Sequence, residues 1–142
     1  MSLVKSFCHI LCQYIELGII TNYKSSLNTK DLYSFLCTLH DIMNQSDECF
    51  VIMAIYFERL ISRHKFIVNS CNLIQILFIA GVAAVKMYDD FSYKNSYYAK
   101  VSGISQQDMN RLEENFLVMI DYRLMINEES YNKYHDFLSK FI

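Results

Sequence analysis

The chain has no proline and no tryptophan, and only three glycines among its 142 residues. Proline and glycine are the usual interrupters of helices, so their scarcity predicts helices joined by short connections. There is no cluster of lysine and arginine, and thirteen basic residues against fifteen acidic ones give a net charge of −2. Phosphate-tracking proteins need the opposite balance, so no nucleic-acid partner is expected. No polybasic stretch suits an anionic membrane surface. No CxxC pair occurs. The five cysteines Cys8, Cys12, Cys37, Cys49 and Cys71 are odd in number and set in apolar sequence. They read as reduced, buried thiols of an intracellular protein, in the cytoplasm or nucleus. Met1 to Ile20 is apolar but broken by Lys5, His9, Gln13 and Glu16, so no signal-peptide core is expected. The longest apolar stretch, Leu73 to Val85 with Gln75 inside it, is 13 residues long. That is too short to cross a bilayer and suits a buried helix, so no membrane partner is expected.

Catalytic signatures are also missing. The chain has no glycine-rich phosphate loop, no HExxH and no nucleophile triad, and His40, His64 and His135 have no Ser, Cys or Asp at telling spacing. Cys8 and Cys12 share a helix face, but His9 points about 100° away, and zinc wants four tetrahedral ligands. Core thiols are the preferred reading, with no metal, no cofactor and no small-molecule substrate. Asp89 and Asp90 are paired carboxylates, read as a loop after a helix end rather than as an acid–base pair. Tyr88, Phe91, Tyr93, Tyr97 and Tyr98 have only Lys94 and Lys100 as nearby positive charge, which favours packing over base stacking.

What is present is apolar: 53% of residues, with a mean hydropathy of +0.12. The length suits one domain, 1–142, able to bury about two-thirds of its unfolded surface. The apolar excess predicts an exposed patch for a partner. Helical spacing predicts a first helix over Leu3 to Leu17, and a second from a Thr29 cap to about Asn44 after a loop at Thr21 to Asn28. The third starts at a Ser46 cap and closes on Arg63, His64 and Lys65. The fourth runs from Asn69 or Ser70 to about Met87 and is apolar almost all round, as befits the centre of a bundle. A short helix through Val101 ends at Gly103. Ser105 with Asp108 forms a capping-box pattern ahead of Met109, Leu112, Phe116, Met119 and Ile120. Asn127 opens a last helix carrying Tyr131, Tyr134, Phe137, Leu138 and Phe141. The expected fold is all-α, one buried helix wrapped by the others.

Four segments then resemble a known family. Met53-Ala54-Ile55-Tyr56-Phe57-Glu58-Arg59-Leu60-Ile61 resembles the YIDRL helix of cyclins. Ala80-Gly81-Val82-Ala83-Ala84-Val85-Lys86-Met87-Tyr88-Asp89-Asp90 resembles their AAKFxDD stretch. Tyr97-Tyr98-Ala99-Lys100-Val101-Ser102-Gly103-Ile104, followed by Met109-Asn110-Arg111-Leu112-Glu113, is similar to the YYAKVGGI…MNxLE signature of P-type (U-type) cyclins. Asp121-Tyr122-Arg123-Leu124 fits their LDFRL close. The resemblance runs from about Leu27 to Leu124. It implies a five-helix cyclin box at 27–124, with an N-terminal helix and loop at 1–26 and a C-terminal helix at 125–142. It further implies a regulatory subunit that is not itself an enzyme, with a cyclin-dependent protein kinase as partner. In such cyclins a lysine ending the third box helix and a glutamate on the fifth grip the kinase beside its C-helix. Those roles fall on Lys86 and Glu113, with Met87 and Leu117 at the apolar contact positions.

The spacing adds to this. Glu113, Leu117 and Ile120 follow at i, i+4 and i+7, a second face beside the Leu112, Phe116 and Met119 stripe. Without the resemblance, Lys86 and Glu113 would read as solvated surface charges. Asp89 and Asp90 are candidate contacts for a kinase arginine near the activation loop. Glu58 stands where cell-cycle cyclins carry an aspartate paired with an arginine, and Asp31 to Asn44 contains no arginine. Ser102 and Met87 also depart from the family pattern. Other readings stay open: a cyclin-fold adaptor for a non-kinase protein, a DNA-touching cyclin fold, and a free-standing enzyme, which no motif supports.

Overall fold

A computed structural model describes residues 3–20, 29–62, 68–69 and 72–140. Seven helices and no strand occur among them: α1 Leu3–Glu16, α2 Thr29–Met43, α3 Cys49–Ile61, α4 Leu73–Tyr88, α5 Asn95–Ser102, α6 Gln106–Met119 and α7 Glu128–Ser139. The all-α expectation holds. The readings of Thr21 to Asn28, the Thr29 cap, Arg63 to Lys65, Ser70, Cys71 and Phe141 concern side chains or segments outside the described residues.

α4 is central, as its all-round apolarity demands. Leu77, Ile79, Ala80, Val82, Ala84 and Val85 are all fully buried. A Cβ at Gly81 would lie 3.1 Å from Met43 Sδ and 3.3 Å from Leu39 Cδ2. The missing side chain is therefore what lets α2 approach so closely. α3 shares the centre: every residue from Cys49 to Phe57 is buried, not only one stripe. Burying a side chain such as Phe57 or Leu77 is worth about 1.5–3 kcal/mol, and α3 alone supplies Phe50, Met53, Tyr56 and Phe57, all fully buried. α1, α2, α6 and α7 each present one apolar face to these two helices.

Local chemistry explains the helix ends. α2, α5 and α6 stop in the same way, each with a left-handed residue just past the end. Asn44 at φ 49, Gly103 at φ 77 and Asp121 at φ 59 fill that position. In each case two amides fold back on carbonyls of the last turn, as Asn44 N does on Asp41 and Gln45 N on His40. α6 and α7 start as expected: Ser105 Oγ accepts from the Asp108 amide at 3.0 Å, and Asn127 Oδ1 from the Ser130 amide at 2.7 Å.

Two starts differ from expectation. α3 begins at Cys49, because Ser46 to Glu48 form a tighter turn and the Ser46 hydroxyl is turned to another helix. α4 begins at Leu73; ahead of it Asn69 and Asn72 exchange side-chain-to-amide bonds at 2.9 and 3.1 Å, the reciprocal pattern that caps a helix start.

Candidate functional site

The C-terminus of α4, the start of α5 and the middle of α6 converge on one polar cluster. Lys86 Nζ lies 2.7 Å from Glu113 Oε2 and also donates to Asn95 Oδ1. Asn95 Nδ2 donates to Glu113 Oε1 at 3.0 Å and to Asn110 Oδ1 at 2.9 Å. The Lys86 and Glu113 side chains are 30% and 25% exposed. An ion pair that open to water adds only about 0.2–1 kcal/mol to stability, so folding alone gives little reason for it.

Met87 follows Lys86 in the chain, and Leu117 lies one turn beyond Glu113 on α6. Met87 is 38% exposed and Leu117 half-buried. Tyr122 and Met125, neither of them among the expected contact residues, are 68% and 74% exposed. They sit on the connection from α6 to α7, which α3 and α4 fasten from beneath. Tyr56 donates to the Leu124 carbonyl at 2.9 Å, and Arg59 to the carbonyls of Arg123 and Met125. The Tyr88 hydroxyl donates to the Leu124 carbonyl at 3.2 Å and accepts from the Ile126 amide at 2.7 Å. Burial pushes the Tyr56 hydroxyl far above its ordinary range, so it stays a donor. Burial, and then Arg123, lower the Arg59 guanidinium. Tyr122 is itself left-handed, at φ 55. For an aromatic residue this is a strained conformation, held by the surrounding bonds.

Ile120 is corrected. It is 1% exposed and belongs to the core, not to the face of Glu113 and Leu117. α6 ends at Met119, and Ile120 is its C-cap, its amide still bonded to the Phe116 carbonyl. Four residues beyond Phe116, it returns to the side that Met109 and Phe116 bury.

Asp89 and Asp90 have different surroundings. The Asp89 carboxylate accepts from the Ser46 amide at 2.9 Å and the Ser46 hydroxyl at 2.7 Å, and the Cys49 thiol lies 3.5 Å away. It ties the end of α4 to the turn before α3. Asp90 is exposed. Glu58 is exposed on α3 and forms no ion pair with another described residue. Among the described residues no group of three or more His, Cys, Asp or Glu could hold a metal, and no helix is long and apolar enough to cross a membrane. Cys8 is buried, and burial followed by the neighbouring Cys12 pushes its thiol up to about 12. Burial likewise dominates at Cys49, also pushed up to about 12.

The tyrosine group packs. Tyr93 stacks on Tyr97 with centroids 4.0 Å apart, the Tyr93 amide donates to the Tyr98 hydroxyl at 3.1 Å, and Tyr97 donates to the Ile42 carbonyl at 2.8 Å. Asn95 as a partner of Lys86, and Asn110 as a partner of Asn95, carried no readable signal. Asn95 lies nine positions from Lys86 and across a turn, where no periodicity links them.

The cyclin family model matches residues 10–124. The chain is 35% identical over 108 residues to Cyclin-U4-3 of Arabidopsis thaliana, covering 75% of this chain and 49% of that protein. It is 35% identical over 113 residues to Cyclin-U4-1 of the same plant, covering 79% and 56%. It is 32% identical over 108 residues to PHO85 cyclin-7 of Saccharomyces cerevisiae, covering 68% and 38%. The chain thus spans about half the length of the two plant relatives. With three of the four signature segments carried by α3, α4 and α5–α6, the fourth by the connection after α6, and the family model covering most of the chain, this protein belongs to the cyclin family, among its P-type (U-type) members.

Proposed function

We propose that the chain binds a cyclin-dependent protein kinase and activates it, the catalysis belonging wholly to the partner, inside the cell. The observation that carries this reading is the Lys86–Glu113 pair, 2.7 Å apart and partly open to water, with exposed Met87 next to Lys86 in the chain. A charge pair that adds little to stability, next to an exposed apolar side chain, suits a partner helix with an apolar face and polar ends. Leu117 contributes from the same helix as Glu113. Asp90 is the exposed acid for a kinase arginine; Asp89 is already engaged by Ser46 and adds its charge from behind.

Activation follows from differential affinity. The cyclin binds the active arrangement of the kinase more tightly than the inactive one, and so shifts the population. Docking holds the kinase C-helix inward, where its glutamate pairs with the lysine that positions ATP phosphates.

The test is capture from a cell lysate, mass spectrometry of the eluate and a kinase assay on it. The wild type is run beside a Lys86→Ala, Glu113→Ala double variant. The wild type is expected to recover an active cyclin-dependent kinase and the double variant to lose it. Recovery of a non-kinase protein in its place would point to the adaptor reading and end this one.

A further inference from the structure

We propose that Asn95 is a positioning residue for the docking pair: its amide sets Lys86 and Glu113 in place before a partner arrives. The proposal rests on the docking reading above and deepens it. Asn95 is the first residue of α5, a place where asparagine often serves the helix end. Here the N-cap is Lys94 and makes no side-chain cap bond. The bonds of the Asn95 side chain lead instead to α4 and α6. Its Oδ1 accepts from Lys86 Nζ, and its Nδ2 donates to Glu113 Oε1 at 3.0 Å and Asn110 Oδ1 at 2.9 Å.

Only one orientation of the amide fits. A flipped amide would set its NH2 against an ammonium and its oxygen against two acceptors. Asn95 therefore reads both charges at once, and an aspartate or an alanine could not. Lys86 has four rotatable bonds and would otherwise sample many positions. Fixing it beforehand removes an ordering cost from binding.

The tyrosine group finds its use here. The Tyr93–Tyr97 stack, the Tyr93 amide bond to Tyr98 and the Tyr97 bond to the Ile42 carbonyl fix the turn that delivers Asn95. Tyr98 is fully buried, so the anchor is part of the core.

Two readings of the intact chain test this. The first needs no partner: the side-chain ammonium signal of Lys86 in 15N NMR, assigned by its loss in Lys86→Arg. The wild type is expected to give an ordered, slowly exchanging signal. Asn95→Ala is expected to lose it with an unchanged melting temperature, whereas Asn95→Asp keeps an acceptor for Lys86 and retains it. The second is the yield of kinase captured from lysate, which is expected to fall roughly tenfold in Asn95→Ala. In Asn95→Asp it is expected to fall as well, because a second carboxylate faces Glu113. An unchanged ammonium signal in Asn95→Ala overturns the proposal, as does full capture by that variant. A wild type with the ordered ammonium that captures no kinase overturns the docking reading and this proposal with it; capture that ignores Asn95 overturns this proposal alone.

Discussion

Ile120 and Tyr122 stand two positions apart and have opposite fates, one buried and the other exposed with a strained backbone. Between them lies the left-handed Asp121, which turns the chain out of α6. An L residue in this region costs about 1–2 kcal/mol. Tyr122→Gly is therefore expected to keep stability or raise it by up to about 1 kcal/mol, while lowering kinase capture. Urea denaturation and the lysate assay read the two effects separately, and a loss of both would mean that Tyr122 packs rather than docks. Gly103 gives the opposite case. Its φ is 77 and no atom lies within 4 Å of an added Cβ, so Gly103→Ala suffers only the backbone cost. A loss of about 1–2 kcal/mol is expected, without a change in fold by circular dichroism. The Lys86→Ala, Glu113→Ala double variant is expected to lose less than about 1 kcal/mol, because the pair is wet. A larger loss would make the pair structural.

Whole elements depend on bonds that cross between them. The connection after α6 is irregular, yet Tyr56, Arg59 and Tyr88 satisfy its carbonyls and an amide from α3 and α4. Tyr56→Phe removes one buried donor and leaves the Leu124 carbonyl with the longer Tyr88 bond. A loss of about 1–2 kcal/mol is expected, with faster amide exchange at Ile126 and its neighbours. The close approach of α2 to α4 belongs to this scale too. Gly81→Val would press branched methyls on Leu39 and Met43, and a destabilisation of about 1–3 kcal/mol is expected by urea denaturation. Gly81→Ala gains helix propensity against the same contact and is expected to be nearly neutral.

For the molecule as a whole, the buried thiols set an alkaline limit. Cys8 and Cys49 are both raised from 9.0 to about 12 by burial. Above pH 9 the unfolded chain releases these protons and the folded chain keeps them. Their contribution is complete below pH 9 and is lost as pH rises from 9 toward 12. The urea midpoint is expected to hold between pH 7 and pH 8 and to fall by pH 10.5. A Cys8→Ala, Cys49→Ala variant should show a shallower fall. Equal slopes for the variant and the wild type would mean that these thiols are not held protonated by the fold. Neither thiol is expected to react with iodoacetamide at pH 7.5 in the native state, since the thiolate is the nucleophile.

The sequence by itself determined the helices, most of their ends and the family. Those properties are local in the chain: the period of α6, the Ser105 and Asn127 caps and the glycine at position 103 act over a few residues, and so do the signature segments. Through resemblance it also assigned Lys86 and Glu113, on two different helices, to one kinase contact. Only the tertiary structure decided that Asn95 joins them, that Asp89 is engaged by Ser46, that Tyr122 and Met125 are presented to solvent and that Ile120 is not. Each of these depends on how α3, α4, α5 and α6 pack, over separations of up to 68 positions for Tyr56 and Leu124. Periodicity says which face of a helix is apolar. It does not say which distant residue comes to lie opposite, because that is fixed by the packing of the whole core.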